Sequence, residues 1–200
     1  LTLGSSTPWG TGGTISFGGG TLKFTASNTT DYSSRFSSAT NQAYNIDTNS
    51  QNVTFAGALT SSGGALNKFG AGTLTLAGNN TYSGETIVSA GTLSITHNNG
   101  LGSTAAGTTV ASGAILDLLG VAVGSEAITL SGGTLQDVTS SLAGNITLTA
   151  DSTISATNAN DVLTLSGAIS GNFAVTKAGL GTVIFTGVNT YTGGTSINAG

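Results

Sequence analysis

From Val53 onward the chain alternates short apolar runs with polar, glycine-bearing joints. The runs are VTF (53–55), ALNKF (65–69), TLTL (73–76), TIV (86–88), TLSI (92–95), TTV (108–110), AILDL (114–118), AITL (127–130), TLQD (134–137), NITL (145–148), STIS (152–155), VLTL (162–165), AVTK (174–177), TVIF (182–185) and TSI (195–197). They alternate or are β-branched and recur about every eight to twelve residues, which predicts an all-β chain of short strands with no room for helices. A membrane barrel needs strands of about 9 to 11 residues and aromatic girdles, and these runs are too short and too poor in Trp and Tyr.

One stretch is written twice. Lys68 to Gly91 reads KFGAGTLTLAGNNTYSGETIVSAG, and Lys177 to Gly200 reads KAGLGTVIFTGVNTYTGGTSINAG, every matched position displaced by the same offset without a gap. Lys68, Gly70, Gly72, Thr73, Gly78, Asn80, Thr81, Tyr82, Gly84, Thr86, Ala90 and Gly91 meet their own kind at Lys177, Gly179, Gly181, Thr182, Gly187, Asn189, Thr190, Tyr191, Gly193, Thr195, Ala199 and Gly200. A sandwich does not repeat itself in this way, whereas stacked repeats do. This motif resembles the autotransporter-associated β-strand repeat, also called the passenger-associated transport repeat, of large secreted bacterial surface proteins. The resemblance covers most of the chain from about Asn52. It implies a right-handed parallel β-solenoid (β-helix) outside the cell, with a motif associated with secretion and folding rather than with chemistry.

Composition agrees with stacking. Charged residues are 6% of the chain and Gly supplies 32 of 200 positions. In a solenoid each side chain lies about 4.8 Å above its counterpart in the next coil, so charge repeated in register repels itself while Thr, Ser and Asn form ladders. Sharp corners favour positive φ, which assigns Gly72, Gly78, Gly84 and Gly91 to turns. With two or three strands per coil, a coil takes about 20 to 25 residues and the chain makes about nine coils. Leu74, Leu76, Ile87, Val183, Phe185 and Ile197 are expected to face inward, Tyr82 and Tyr191 to pack a corner, and Asn80 and Asn189 to bond the turn backbone.

The first fifty-two residues are less regular. TISF (14–17) and TLKF (21–24), separated by Gly18 to Gly20, read as a strand pair after the turn-rich GSSTPWGTGG, in which Pro8 and Trp9 suggest a β-arc with a packed indole. Residues 25–52 lack the glycine rhythm and hold Asp31, Tyr32, Arg35, Phe36 and Tyr44. Two readings stay open there: an irregular coil whose aromatics cover the core, with Asp31 and Arg35 a solvated pair, or a protruding contact loop. Residues 1–200 are otherwise expected to form a single solenoid segment of a longer array. The C-terminal Ala-Gly and the opening Leu1-Thr2-Leu3 nearly complete each other as a motif, which suggests tandem units or a polymer.

Candidate chemistry is sparse. The net charge of −4, with four basic residues, lacks the basic patch that nucleic acid or an anionic membrane surface requires. No cysteine offers a thiolate site, and no run approaches the roughly 20 apolar residues of a spanning helix. His97, the sole histidine, lies in a turn-like HNNG without a G-x-S-x-G partner. Asp117, Asp137, Asp151 and Asp161 are the carboxylates a polysaccharide-cleaving solenoid would use, but no Lys or Arg occurs between Lys68 and Lys177. No cofactor, metal or catalytic residue is expected; Asp151 and Asp161 are a residual metal candidate. The Gly-x-Gly of Gly70 and Gly179 precedes no helix, and the Thr-x-Thr pairs Thr73/Thr75 and Thr147/Thr149 are too isolated to form the flat threonine array with which ice-binding solenoids order water. The expected function is that of a structural extracellular stalk or fibre extended by stacking with itself. The alternatives are an adhesin binding host or glycan ligands through loops on the solenoid, residues 31–44 being the first candidate, and, more remotely, a polysaccharide-cleaving enzyme.

Overall fold

The computed structural model describes residues 1–5, 8–10 and 12–200; Ser6, Thr7 and Thr11 of the opening turn lie outside the described residues. The strands wind into three parallel sheets. The first contains β1 (Thr21–Lys23), β2 (Ala43–Asp47), β4 (Ala65–Phe69), β6 (Thr86–Val88), β8 (Thr108–Ala111), β11 (Ile128–Ser131), β14 (Ile146–Ala150) and β17 (Ile169–Ser170). The second contains β3 (Val53–Phe55), β5 (Thr73–Leu76), β7 (Thr92–Ile95), β9 (Ile115–Leu119), β12 (Thr134–Val138), β15 (Ser152–Ala156), β18 (Val175–Ala178) and β20 (Thr195–Ile197). The third is shorter, with β10 (Ala122–Val123), β13 (Ser140–Leu142), β16 (Val162–Leu165) and β19 (Thr182–Phe185). A bridge from Thr2 to Lys23 adds one further level before β1, giving about nine coils and a rod about 40 Å long at ~4.8 Å per coil.

Alternation fills the interior. On the first sheet Leu22, Ile46, Lys68, Val88, Val110, Leu130 and Leu148 stack in one inward row, the longest step running from Leu22 to Ile46 and the shortest from Leu130 to Leu148. On the second, Phe55, Leu76, Ile95, Leu118, Asp137 and Ala156 form another. Each fully buried Leu or Ile contributes roughly 1.5–3 kcal/mol, and stacking like on like lets every coil reuse the same packing. Lys68 and Asp137 are polar exceptions within these rows.

Several expectations need correction. TISF and TLKF do not pair with each other. Ile15 bridges Phe36, and β1 pairs with β2, because a solenoid strand pairs with the coil above or below rather than with its sequence neighbour. Ile87 points outward, since Thr86 and Val88 occupy the inward positions of β6. Ile197 continues the inward row of Lys177 but is 73% exposed in the last coil. The stretch at 31–44 does not stand off as a loop. A single 3₁₀ turn at Ser33–Arg35 and β2 hold it in the coil, with Tyr32 and Tyr44 buried and Phe36 stacked on Tyr44 at 6.1 Å.

The two motif copies do not share a face. In the first copy β4 lies on the first sheet and β5 on the second; their equivalents β18 and β19 lie on the second and third. Five coils on from Leu66 the first sheet reaches Ile169, whereas the residue equivalent to Leu66 is Val175. The offset between the copies is therefore five coils plus one face. The motif specifies its own local winding wherever on the circumference it begins.

Candidate functional site: the coil clasp and the polar interior

The shared motif residues form one hydrogen-bonded clasp. Lys68 is fully buried, and its Nζ donates to the carbonyls of Phe69 (3.0 Å), Gly70 (2.7 Å) and Ala90 (2.9 Å), the last one coil further on. Lys177 keeps two of these contacts, to Gly179 (2.7 Å) and Ala199 (2.7 Å), and takes Gly181 (2.5 Å), the equivalent of Gly72, as its third acceptor. Gly70 and Gly91 turn the chain at positive φ, 71° and 67°, aiming their corners at the ammonium. Burial lowers the Lys68 pKa to about 8, against the opposing pull of the Asp47 carboxylate.

The other half of the clasp is the Asn-Thr-Tyr corner. Asn80 Oδ1 accepts the Leu59 N–H (2.8 Å) from the preceding coil, and its Nδ2 donates to the Gly100 carbonyl (2.6 Å) of the following one. The N–H groups of Thr81 and Tyr82 both donate to the Leu59 carbonyl, so the peptide groups on either side of Leu59 are bound by one corner. In the second copy Asn189 Oδ1 accepts the Ile169 N–H (2.9 Å), and Thr190 and Tyr191 donate to the Ile169 carbonyl. The Tyr82 hydroxyl pairs with Thr86 Oγ1 at 2.5 Å and Tyr191 with Thr195 at 2.7 Å.

Gly78 and Gly84 do not have the positive φ expected of turn glycines. They are glycine because the neighbouring coil passes too close: a Cβ on Gly78 would come 2.8 Å from the Gly57 carbonyl oxygen, and one on Gly84 2.6 Å from that of Gly64.

The candidate contact residues 31–44 are drawn into the same kind of bonding. Asp31 accepts the N–H groups of Ser33 and Ala56, both at 2.8 Å, and does not pair with Arg35. Arg35 donates Nε to Gly13 O (2.9 Å), Nη1 to Gly10 O (2.9 Å) and Nη2 to Gly12 O (2.5 Å), and its Cζ lies 6.0 Å from the Trp9 ring centre. Trp9 packs on Tyr32 at 4.8 Å, and the Tyr44 hydroxyl donates to the Ser37 carbonyl (3.1 Å). Tyr32 and Tyr44 are buried in the coil, with Trp9 and Phe36 half-buried against the same core.

A family model described as the passenger-associated transport repeat matches residues 66–95 and 175–200. The chain carries two passenger-associated transport repeats. It is also similar to the "Adhesin BmaC autotransporter" of Brucella suis biovar 1 (strain 1330), with 39% identity over 155 residues, 74% of this chain and 4% of that protein. The chain thus spans a small part of that relative's length. No solved structure matches the chain at a significant level. The chain is an autotransporter-type repeat protein, of the bacterial cell surface or secreted.

Between the two transport repeats lies a polar interior that sequence reasoning missed. Glu126 is 3% exposed; its Oε1 accepts Thr108 Oγ1 (2.8 Å) and its Oε2 has no partner among the described residues. Asp137 is fully buried, with neither carboxylate oxygen hydrogen-bonded to a described residue. Burial pushes both carboxyls up. Asp161 is tied to Asn158 through N (2.7 Å) and Nδ2 (2.8 Å), Asp117 to Ser94 and Gln136, and Asp151 to the Ala174 N–H. A shallow, open depression of about 390 Å³ on the third sheet is lined by residues 120–122, 139–141, Val162 and Thr164, with no carboxylate. His97 Nδ1 accepts the Asn99 N–H (3.0 Å) in a turn. Among the described residues no group of three or more metal-ligating side chains converges, and no helix is long and apolar enough to cross a membrane. The signal that could have found Asp137 is its register: it falls between Leu118 and Ala156, both inward in the neighbouring coils, whereas Glu126 precedes β11 and no strand register marks it.

Proposed function

We propose that this solenoid serves as an extracellular stalk or fibre segment in which the transport repeats act as coil-to-coil clasps. The carrying observation is that the Lys and Asn of each motif copy are engaged in hydrogen bonds to a neighbouring coil, as in Lys68 to Ala90 and Asn80 to Leu59 and Gly100. Such a clasp templates the next coil on the last, which suits stepwise folding after export and stiffness thereafter. The segment has no catalytic role in this reading: its carboxylates are dispersed or buried, and no Lys or Arg lies between the two motif lysines.

The test is geometric. Inserted between two globular markers, the chain should separate them by about 40 Å in electron micrographs, since each coil adds ~4.8 Å. Markers at variable or much shorter separation would refute a stiff stalk. The adhesin reading has one observation in its favour, the name of the relative. Within residues 31–44, Asp31 is exposed and Arg35 and Phe36 are half-buried, while Tyr32 and Tyr44 are buried. Saturable binding of the isolated chain to host cells or glycans, unchanged by Arg35→Ala, would favour adhesion through another surface and displace the stalk as the main role.

A further inference from the structure

Hydroxyls that look scattered along the sequence become a surface once the coils stack. On the outward side of the second sheet, the register aligns Thr73, Thr92, Ile115, Thr134, Thr153 and Thr176 in one row, all partly exposed. Beside it runs a second row of Thr75, Ser94, Asp117, Gln136 and Ser155, of which Thr75 and Gln136 are partly exposed and the other three are buried. The one charge in these rows is closed off: Asp117 is 7% exposed and accepts from Ser94 Oγ (3.1 Å) and Gln136 Nε2 (3.2 Å). Asp151, at the corner before β15, is turned to the Ala174 N–H. The first sheet differs, with Lys23 and Asp47 paired at 3.3 Å and Glu85 bonded to Thr109 (2.7 Å) on its outward side. The five threonine hydroxyls of the first row make no hydrogen bond to any described residue.

We infer that the outward face of the second sheet is a lateral interface that pairs with the same face of a second copy of this chain. A threonine hydroxyl both donates and accepts, so a row of them complements itself, as an isologous contact between identical chains requires. The chain carries a net charge of −4, and two copies can meet through this face without like-charge repulsion; the outward row of the third sheet, Ala122, Ser141, Thr164 and Ile184, is also uncharged but spans only four strands. A neutral glycan would find the same hydroxyls but no aromatic ring to stack on, since the two rows contain none. Eight strands at ~4.8 Å by about 13 Å of strand length give roughly 500 Å² per copy, or about 1,000 Å² in total, at the lower limit for a biological contact. The pairing is therefore weak and reversible for this chain alone. Every added coil with the same rows enlarges it by about 60 Å² per copy, so avidity grows with rod length.

This pairing is independent of the stalk reading: a stalk can stand alone, and an adhesin can pair sideways. The chain has no cysteine, so a single introduced thiol reports contact directly. Thr153→Cys on the second sheet and Thr129→Cys on the outward side of the first are compared by oxidation at high protein concentration, alongside sedimentation velocity of the parent chain. The expected result is a concentration-dependent dimer that Thr153→Cys traps as a disulfide and Thr129→Cys does not. Adding Thr134→Lys to the Thr153→Cys chain should weaken trapping by about tenfold or more through facing like charges. Thr134→Val, which keeps the methyl and the fold, should weaken it by a smaller factor. A monomer at all concentrations, equal trapping at both positions, or trapping indifferent to both Thr134 variants would overturn the inference. Association and Thr153→Cys trapping both lost through Val188→Lys, a substitution at an exposed residue of the last coil, would instead place the contact at the rod end, and would also overturn it.

Discussion

The Asn80 corner should be one of the most sensitive points of the rod, and its counterpart Asn189 supplies an internal control. Asn80→Ala leaves the Leu59 N–H and the Gly100 carbonyl without partners at a site where Asn80 itself is 2% exposed. Each orphaned buried group costs about 1–3 kcal/mol, so the expected loss is about 3 kcal/mol. Asn189→Ala removes a single bond, to Ile169, at a half-buried site, and should cost about 1 kcal/mol. Stacked repeats open coil by coil, so native-state hydrogen exchange is the appropriate assay. Protection at Leu59, Thr81 and Tyr82 should fall by a factor of about 100 in Asn80→Ala, while coils beyond residue 150 stay near their parent values. Equal effects of the two substitutions, or a loss spread evenly over the chain, would refute the idea that this asparagine joins three coils.

The polar interior should make stability depend on pH in two opposite senses. Glu126 and Asp137 have folded pKa values raised above their ordinary 4.5 and 3.8, so the folded state holds protons that the unfolded state releases first. Their contribution is present in acid and is lost as pH rises through the raised values; thermal melts should show stability falling across that window, and Glu126→Gln with Asp137→Asn should flatten the fall. Lys68 behaves in the opposite sense: with its pKa lowered from 10.5 to about 8, its contribution should rise between those pH values, and Lys68→Met should abolish that rise. Gly78→Ala should cost roughly 2–4 kcal/mol through its clash with the Gly57 carbonyl, whereas Gly113→Ala, in open space but at φ +73°, should cost about 1–2 kcal/mol in a urea titration.

The strands are legible in sequence because each inward row needs apolar side chains at alternate positions. TLTL, TLSI and STIS therefore coincide with β5, β7 and β15. What a linear reading lacks is the coil length, which is not constant along the first sheet: the step from Leu22 to Ile46 is longer than that from Val110 to Leu130, and this in turn is longer than that from Leu130 to Leu148. Without it, Thr73 and Thr153 give no sign of sharing a row, Asp137 looks like any surface aspartate, and Arg35 reads as the partner of Asp31 rather than of three glycine carbonyls. Gly78 and Gly84 stand out in the sequence, but close approach between coils leaves the same mark there as positive φ, and it is the former that applies. Ile87 is misplaced by a linear reading because a triplet such as TIV does not say which of its residues faces in.

The offset of five coils plus one face gives a lengthening rod a built-in screw. If the unit from Lys68 to Thr176 were copied in tandem, each copy would be turned by about a third of a revolution on the last, and any side chain fixed to the unit would return to the same azimuth only after three copies. Such a filament would display its features on all sides in rotation, and a neighbour approaching from any direction would meet each face of the unit within three rises.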